Sequence, residues 1–150
     1  MPTLHANALV LGEAGLLVRG PSGAGKSSLT LSLIAAAQAR GRFAALVADD
    51  RVVLEEAHGR LIASPHPAIA GMIEIRGAGI VSRPFEPACV LRLVVDLFLP
   101  EKPPPRLPET DANEAILCGV AVPLLRLQSG ASLGVEAILS LIHEVMTNSR

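Results

Sequence analysis

The chain has 150 residues, a formal net charge of −1 and a 50% hydrophobic content, enough for one substantial core and too little for two domains of comparable weight. Its apolar residues are aliphatic, with three Phe and neither Trp nor Tyr; lacking a basic tract and aromatic stacking platforms, it is not expected to bind nucleic acid. No apolar run reaches the length of a membrane span, and the first residues lack the pattern of a secretory signal, so no membrane partner is expected and a cytoplasmic setting is read.

Residues 7–11 and 15–19 read as two short strands around the turn Gly12-Glu13-Ala14-Gly15, giving the sheet an antiparallel portion. The second strand runs into Gly20-Pro21-Ser22-Gly23-Ala24-Gly25-Lys26-Ser27, a complete G-x-x-x-x-G-K-[ST] motif that is expected, together with Ser28, to bind the nucleotide. The glycines let successive backbone N–H groups turn onto a polyanion, Lys26 reaches the outer phosphates and the Ser27 hydroxyl can ligand Mg²⁺. A bare glycine-rich strand-to-helix turn is the bland alternative. From Ser27 to Arg40 the Leu-, Ile- and Ala-rich composition predicts a helix apolar on most sides and largely buried, stopped by Gly41.

Phe43 to Ala48 is a compact apolar run expected as a buried strand, and it ends at Asp49-Asp50. Residues 51–63 suggest a hairpin turning at 57–60, and Ser64-Pro65-His66-Pro67 breaks regular structure. Ile73-Glu74-Ile75-Arg76 alternates apolar and charged side chains, which puts Glu74 and Arg76 on one face. Cys89 to Leu99 reads as a strand whose charged Arg92 and Asp96 belong on a face or an edge. Five prolines in the segment 100–112 predict an exposed, flexible loop, followed by a strand near 120–127 and a helix over 133–147. Cys89 and Cys118 have no CxxC or His neighbour and read as packed thiols.

A phosphate-binding loop does not by itself separate kinase, GTPase, transport ATPase and nucleotide sensor. No N-K-x-D guanine-reading segment and no L-S-G-G-Q signature accompany this one. Phosphoryl transfer needs a divalent metal, a cation beside the transferring group and a carboxylate for the attacking hydroxyl. Lys26 and Ser27 meet the first needs, and Asp49 and Asp50 leave their strand as a metal-serving acid and a base would, on opposite sides of an extended backbone. A simple turn at Asp49-Asp50 is the alternative.

Taken in order, Leu4-His5, Gly15 to Ser27, Leu46-Val47-Ala48-Asp49-Asp50-Arg51-Val52 and Ile73-Glu74-Ile75-Arg76-Gly77-Ala78-Gly79-Ile80 resemble the catalytic domain of the HPr kinase/phosphorylase family, most specifically in the last two segments. The resemblance covers most of residues 4–127. It implies an α/β phosphate-loop (Walker A) fold of the phosphoenolpyruvate carboxykinase-like type, with a mixed sheet flanked by helices. It further implies one catalytic domain over residues 1–150, ATP and Mg²⁺ as cofactors, the phosphocarrier protein HPr as partner and a homo-oligomer, hexameric in full-length members. Carried over by residue, it makes Lys26 the phosphate-contacting lysine, Ser27 and Glu74 the Mg²⁺ ligands, and Asp50 the base with Asp49 beside it on the metal side. His5 and Arg106 take the remaining catalytic positions.

Two departures bear on function. An acidic residue common after the family's loop serine is replaced by Ser28, and the family's later Pro-Val-x-x-Gly-Arg loop is represented by Arg126-Leu127-Gln128-Ser129-Gly130-Ala131-Ser132, where no arginine follows the glycine. The expected activity is ATP- and Mg²⁺-dependent serine phosphorylation of HPr with weak or absent phosphorolysis. A small-metabolite kinase and a nucleotide-dependent regulatory binding module are the alternatives.

Overall fold

A computed structural model describes residues 2–75, 77–101, 114–130 and 134–148. Its strands are β1 (Thr3–Leu4), β2 (Asn7–Leu11), β3 (Ala14–Arg19), β4 (Ala44–Ala48), β5 (Val52–Ala57), β6 (Arg60–Pro65), β7 (Met72–Ile75), β8 (Gly79–Ser82), β9 (Cys89–Phe98), β10 (Glu114–Leu117) and β11 (Val120–Gln128). Helices α1 (Lys26–Ala39) and α2 (Gly134–Asn148) and a 3₁₀ turn at Pro67–Ile69 complete the described elements. The expected proline-rich loop at 100–112, including Arg106, falls almost wholly outside the described residues, as does Arg76. Among the described residues no helix is long and apolar enough to cross a membrane.

Nine strands form one mixed sheet in the order β1-β5-β6-β9-β3-β2-β4, with β11 joined to β9 and β10 to β11, while β7 and β8 form a separate hairpin. β9 is the hub. It runs parallel to β3 and to β11 and antiparallel to β6. Because β3 occupies one edge of β9, β6 and β11 share the other in succession, β6 at Cys89–Val90 and β11 from Val94 to Phe98.

Strand alternation divides the interior in two. Leu16, Val18, Leu33, Leu93, Val95, Ile138 and Ile142 fill one core, beneath α1 and α2. Leu17, Val47, Val52, Leu61, Leu91, Val94 and Val122 fill the other, which the curling sheet encloses from its own strands. Leu91 and Leu93 lie two apart yet face different cores, because the β3–β9 register runs Gly15↔Leu91 and then Leu16↔Leu93, leaving Arg92 as the extra residue of a β-bulge. Gly15 is required at this crossing: a Cβ there would stand 2.5 Å from the Val90 carbonyl oxygen and 2.7 Å from Cys89 Sγ.

Several expectations need correction. α1 is not largely buried: Lys26, Thr30, Leu33, Ile34 and Ala37 turn inward and Ser28, Ser32 and Ala35 outward, because only one side meets the sheet. The break expected over Ser64-Pro65-His66-Pro67 falls in its second half, since β6 continues through Pro65 and the chain turns at Pro67–Ile69. Of the two places expected for Arg92 and Asp96, a face or an edge, the central position of β9 leaves the face, and Asp96 is matched there by Arg19. The short strand β10 was not expected, and it makes Cys118 an exposed turn residue instead of a packed thiol. Cys118 and Gly119 both have positive φ, 50° and 78°, as a two-residue type I′ hairpin turn needs.

Candidate phosphate-binding and carboxylate site

β3 delivers the chain to the glycine-rich loop along β9, and two contacts fix that delivery. Arg19 donates to Asp96 through Nε (2.6 Å) and Nη2 (2.8 Å), a forked pair across neighbouring parallel strands. Gly20 then passes so close to Leu97 that a Cβ would stand 2.9 Å from its carbonyl oxygen. On the far side of the loop the Ser129 hydroxyl, just past β11, donates to the Ala24 carbonyl at 2.6 Å. The loop is therefore pinned from β9 and from the end of β11.

Within the loop Gly23 and Gly25 take φ of 83° and 94°, a conformation that a side chain would strain. Gly25 caps α1 without a side-chain hydrogen bond, which leaves the first amides of a 14-residue helix for an anion. The Lys26 ammonium donates to the Gly20 carbonyl at 2.9 Å and, at 3.4 Å, to that of Pro21, so it lies along the loop.

Asp49 follows directly on β4 with its carboxylate turned inward, 7% exposed. Its Oδ1 accepts from the Ser27 hydroxyl (2.6 Å) and from Asn7 Nδ2 (2.8 Å), and its Oδ2 from the Glu74 backbone N–H (3.0 Å). Asp50 is not extended. It has a left-handed φ of 69° in a three-residue turn closed by the Arg51 N–H on the Asp49 carbonyl at 2.8 Å. The two carboxylates occupy different environments as expected, but through this turn and not through alternation along a strand. The Asp50 side chain is 61% exposed, with His5 Nε2 at 3.0 Å from its Oδ1.

Asn7, absent from the sequence-based candidates, joins these pieces. Its amide is 1% exposed. Nδ2 donates to Asp49 and lies 3.3 Å from both Ser27 Oγ and Thr30 Oγ1, while Oδ1 accepts the Asp50 backbone N–H at 2.8 Å. The only sequence signal was a polar residue opening an otherwise apolar strand.

His5, Asn7, Lys26, Ser27, Asp49, Asp50 and Glu74, with loop residues 22, 23, 25 and 28, line one cavity of about 220 Å³. Of the expected site residues only Arg106 lies outside the description. Among the described residues no cluster of three or more His, Cys, Asp or Glu forms a ready metal cage. The oxygen donors nevertheless fit Mg²⁺, which takes one or two protein ligands and completes its octahedron with phosphate and water. The Ser27 hydroxyl donates its hydrogen bond to Asp49 and so keeps lone-pair density for a metal, and Glu74 supplies an exposed carboxylate on the same cavity. A second cavity of about 480 Å³ adjoins on the other side of the loop, sharing Gly23, Gly25 and Ser28 and reaching Leu127 and Gly134.

A mixed α/β fold here sets a G-x-x-x-x-G-K-[ST] loop against paired carboxylates, an arrangement suited to holding phosphate groups. The family model for the HPr Serine kinase C-terminal domain matches residues 2–139, and the chain belongs to that family. Among curated relatives, the HPr kinase/phosphorylase of Clostridium tetani is 42% identical over 81 residues, which is 54% of this chain and 25% of that protein. That of Mycoplasma mycoides is 37% identical over 76 residues, 51% of this chain and 22% of the relative. These matches therefore span about a quarter of the length of the curated relatives. A solved structure of the Hpr(Ser) kinase/phosphatase from Coxiella burnetii is similar with a TM-score of 0.78 at 29% identity, over 99% of each chain.

Proposed function

We propose that this chain is an ATP- and Mg²⁺-dependent kinase that phosphorylates a serine of the phosphocarrier protein HPr, and so regulates carbohydrate uptake. Family membership and the relatives' names support the kinase class and HPr as partner. The observation that carries the finer reading is the asymmetry of the carboxylates: Asp49 is buried and saturated by three donors, while Asp50 is exposed beside His5 at the mouth of the same cavity.

In this reading the loop amides and Lys26 hold the outer phosphates, with the adenosine lying toward the second cavity. Ser27 and Glu74 hold Mg²⁺, and Asp49 serves that site by orienting Ser27 and the Glu74 backbone. The bound metal would neutralise charge on the phosphates. Asp50 orients the attacking serine hydroxyl and takes its proton, and His5 fixes the Asp50 carboxylate by donating from Nε2. Arg106 is proposed as the second cation on the transferring group. We further read the chain as a single catalytic domain with a phosphoenolpyruvate carboxykinase-like phosphate-loop fold, working in the cytoplasm as a homo-oligomer.

Intact-mass analysis of HPr after incubation with the protein, Mg²⁺ and ATP tests the proposal, with Asp50→Asn run beside the wild type. One phosphate added by the wild type and a loss of at least 100-fold in the variant are expected. ATP binding without mass gain on HPr would overturn the HPr assignment. Turnover stimulated by a metabolite would then indicate a small-metabolite kinase, and an ATP-sensitive complex with HPr a regulatory binding module.

A further inference from the structure

Among the described residues three that are not glycine take a positive φ: Asp50 (69°), His58 (54°) and Cys118 (50°). His58 and Cys118 each stand before a glycine of positive φ in a two-residue hairpin turn, a geometry that requires it. Asp50 has no such reason, because it is followed by Arg51 and β4 does not pair with β5. Its turn, closed by the Arg51 N–H on the Asp49 carbonyl around a central residue of positive φ, is the rare and strained form of a three-residue turn. Such a backbone persists only where its surroundings hold it.

Two side chains reach it. His5 Nε2 stands 3.0 Å from Asp50 Oδ1, but these side chains are 63% and 61% exposed, and exposed pairs contribute little. The Asp50 backbone N–H donates to Asn7 Oδ1 at 2.8 Å, and Asn7 is buried. Asn7 opens β2, which β3 and β4 pair on either side, so this amide starts from a rigid base. Its orientation is forced by chemistry. Nδ2 lies 2.8 Å from Asp49 Oδ1, and turning the amide over would set oxygen against the carboxylate and NH₂ against the Asp50 N–H. One planar group therefore holds Asp49 by its side chain and Asp50 by its backbone.

We propose that Asn7 is a positioning residue for phosphoryl transfer, a role that rests on Asp50 being the base as proposed above. Its amide keeps the Asp50 turn left-handed, and that turn keeps the Asp50 carboxylate on the cavity that Lys26 and Ser27 also line. Without the acceptor the turn relaxes toward ordinary φ and the carboxylate leaves its place.

Asn7→Leu, close in size and without hydrogen-bonding groups, tests this, with HPr phosphorylation measured in the wild-type and Asp50→Asn backgrounds. In the first, kcat should fall roughly tenfold or more while KM for HPr changes less than about threefold, because the base moves and the docking surface does not. In the second, where no base remains to be placed, the same substitution should cost less than about a further twofold. Hydrogen exchange supplies a readout without catalysis: relative to Val94 on the central strand, the Asp50 N–H should exchange roughly tenfold or more faster in Asn7→Leu than in the wild type. Should Asn7→Leu fail to fold, Asn7→Ala replaces it with the same expectations. An unchanged kcat, the same fold loss in both backgrounds, or no gain in Asp50 exchange relative to Val94 would each overturn the positioning role while Asp50 remained the base. Undiminished activity of Asp50→Asn by itself would overturn the base, and the positioning role with it.

Discussion

Asn7 shows how much of the candidate site hangs on one side chain outside the sequence motifs. Replacing it with Ala strips a donor from Asp49 and leaves the Asp50 N–H without its acceptor. An unsatisfied buried group costs about 1–3 kcal/mol. Asn7→Ala should therefore lower Tm by roughly 3–10 °C for a chain of this size, read by calorimetry. Asn7→Asp puts a second carboxylate beside Asp49 and should destabilise the protein more than Ala at pH 7, the gap narrowing as the pH is lowered toward 4. A gap that did not depend on pH would remove the like-charge explanation.

The cysteines provide a second residue-scale test. Burial pushes the Cys89 thiol up to about 12 from its ordinary 9.0, whereas Cys118 is exposed on its turn. A thiol reagent at pH 8 should label Cys118 and spare Cys89 in the folded protein. The unfolded chain releases the Cys89 proton first as pH rises, so Cys89 lowers stability progressively between pH 9 and 12. Cys89→Ala should flatten that alkaline loss in denaturation measured across the interval.

At the scale of elements, the loop is aimed by its neighbours. The Arg19–Asp96 fork joins β3 to β9 immediately before Gly20. A double-mutant cycle with Arg19→Met and Asp96→Leu should give a coupling of about 1–2 kcal/mol in stability, as expected for a partly buried charged pair. Weaker ATP binding in both single variants is expected by isothermal calorimetry, because Gly20 follows Arg19 directly. Local signals made these elements readable: the loop motif, the apolar run stopping at Asp49 and the alternation around Glu74 can each be seen in a handful of consecutive residues. Asn7 could not be read, because its role comes from segments 20 to 43 residues away. The bulge at Arg92 was hidden for a related reason. Only pairing with β3 reveals that one residue is surplus, and the run Leu-Arg-Leu on its own suggests unbroken alternation.

At the scale of the whole molecule, the mixed α/β architecture followed from composition and element order, whereas the split between two cores did not. Nothing in β9 alone states that its edge is shared by β6 and β11. The absence of an arginine after Gly130 supports a prediction at this scale. Phosphoserine-HPr incubated with inorganic phosphate should release pyrophosphate at less than a tenth of the rate at which HPr is phosphorylated with ATP. A faster release would show that phosphorolysis does not need that arginine here.

The surplus residue in β9 is also a spare length of chain. Delete Arg92 and ordinary alternation replaces the bulge: Leu91 and Leu93 become neighbours on opposite faces, Leu93, Val95 and Leu97 keep their interior, and Asp96 keeps Arg19. Delete Val94 instead and the alternation breaks where no residue is to spare, so part of the strand must turn over. The protein should thus tolerate loss of Arg92 far better than loss of Val94, read as the Tm of the two deletion variants, even though neither position touches the phosphate-binding loop.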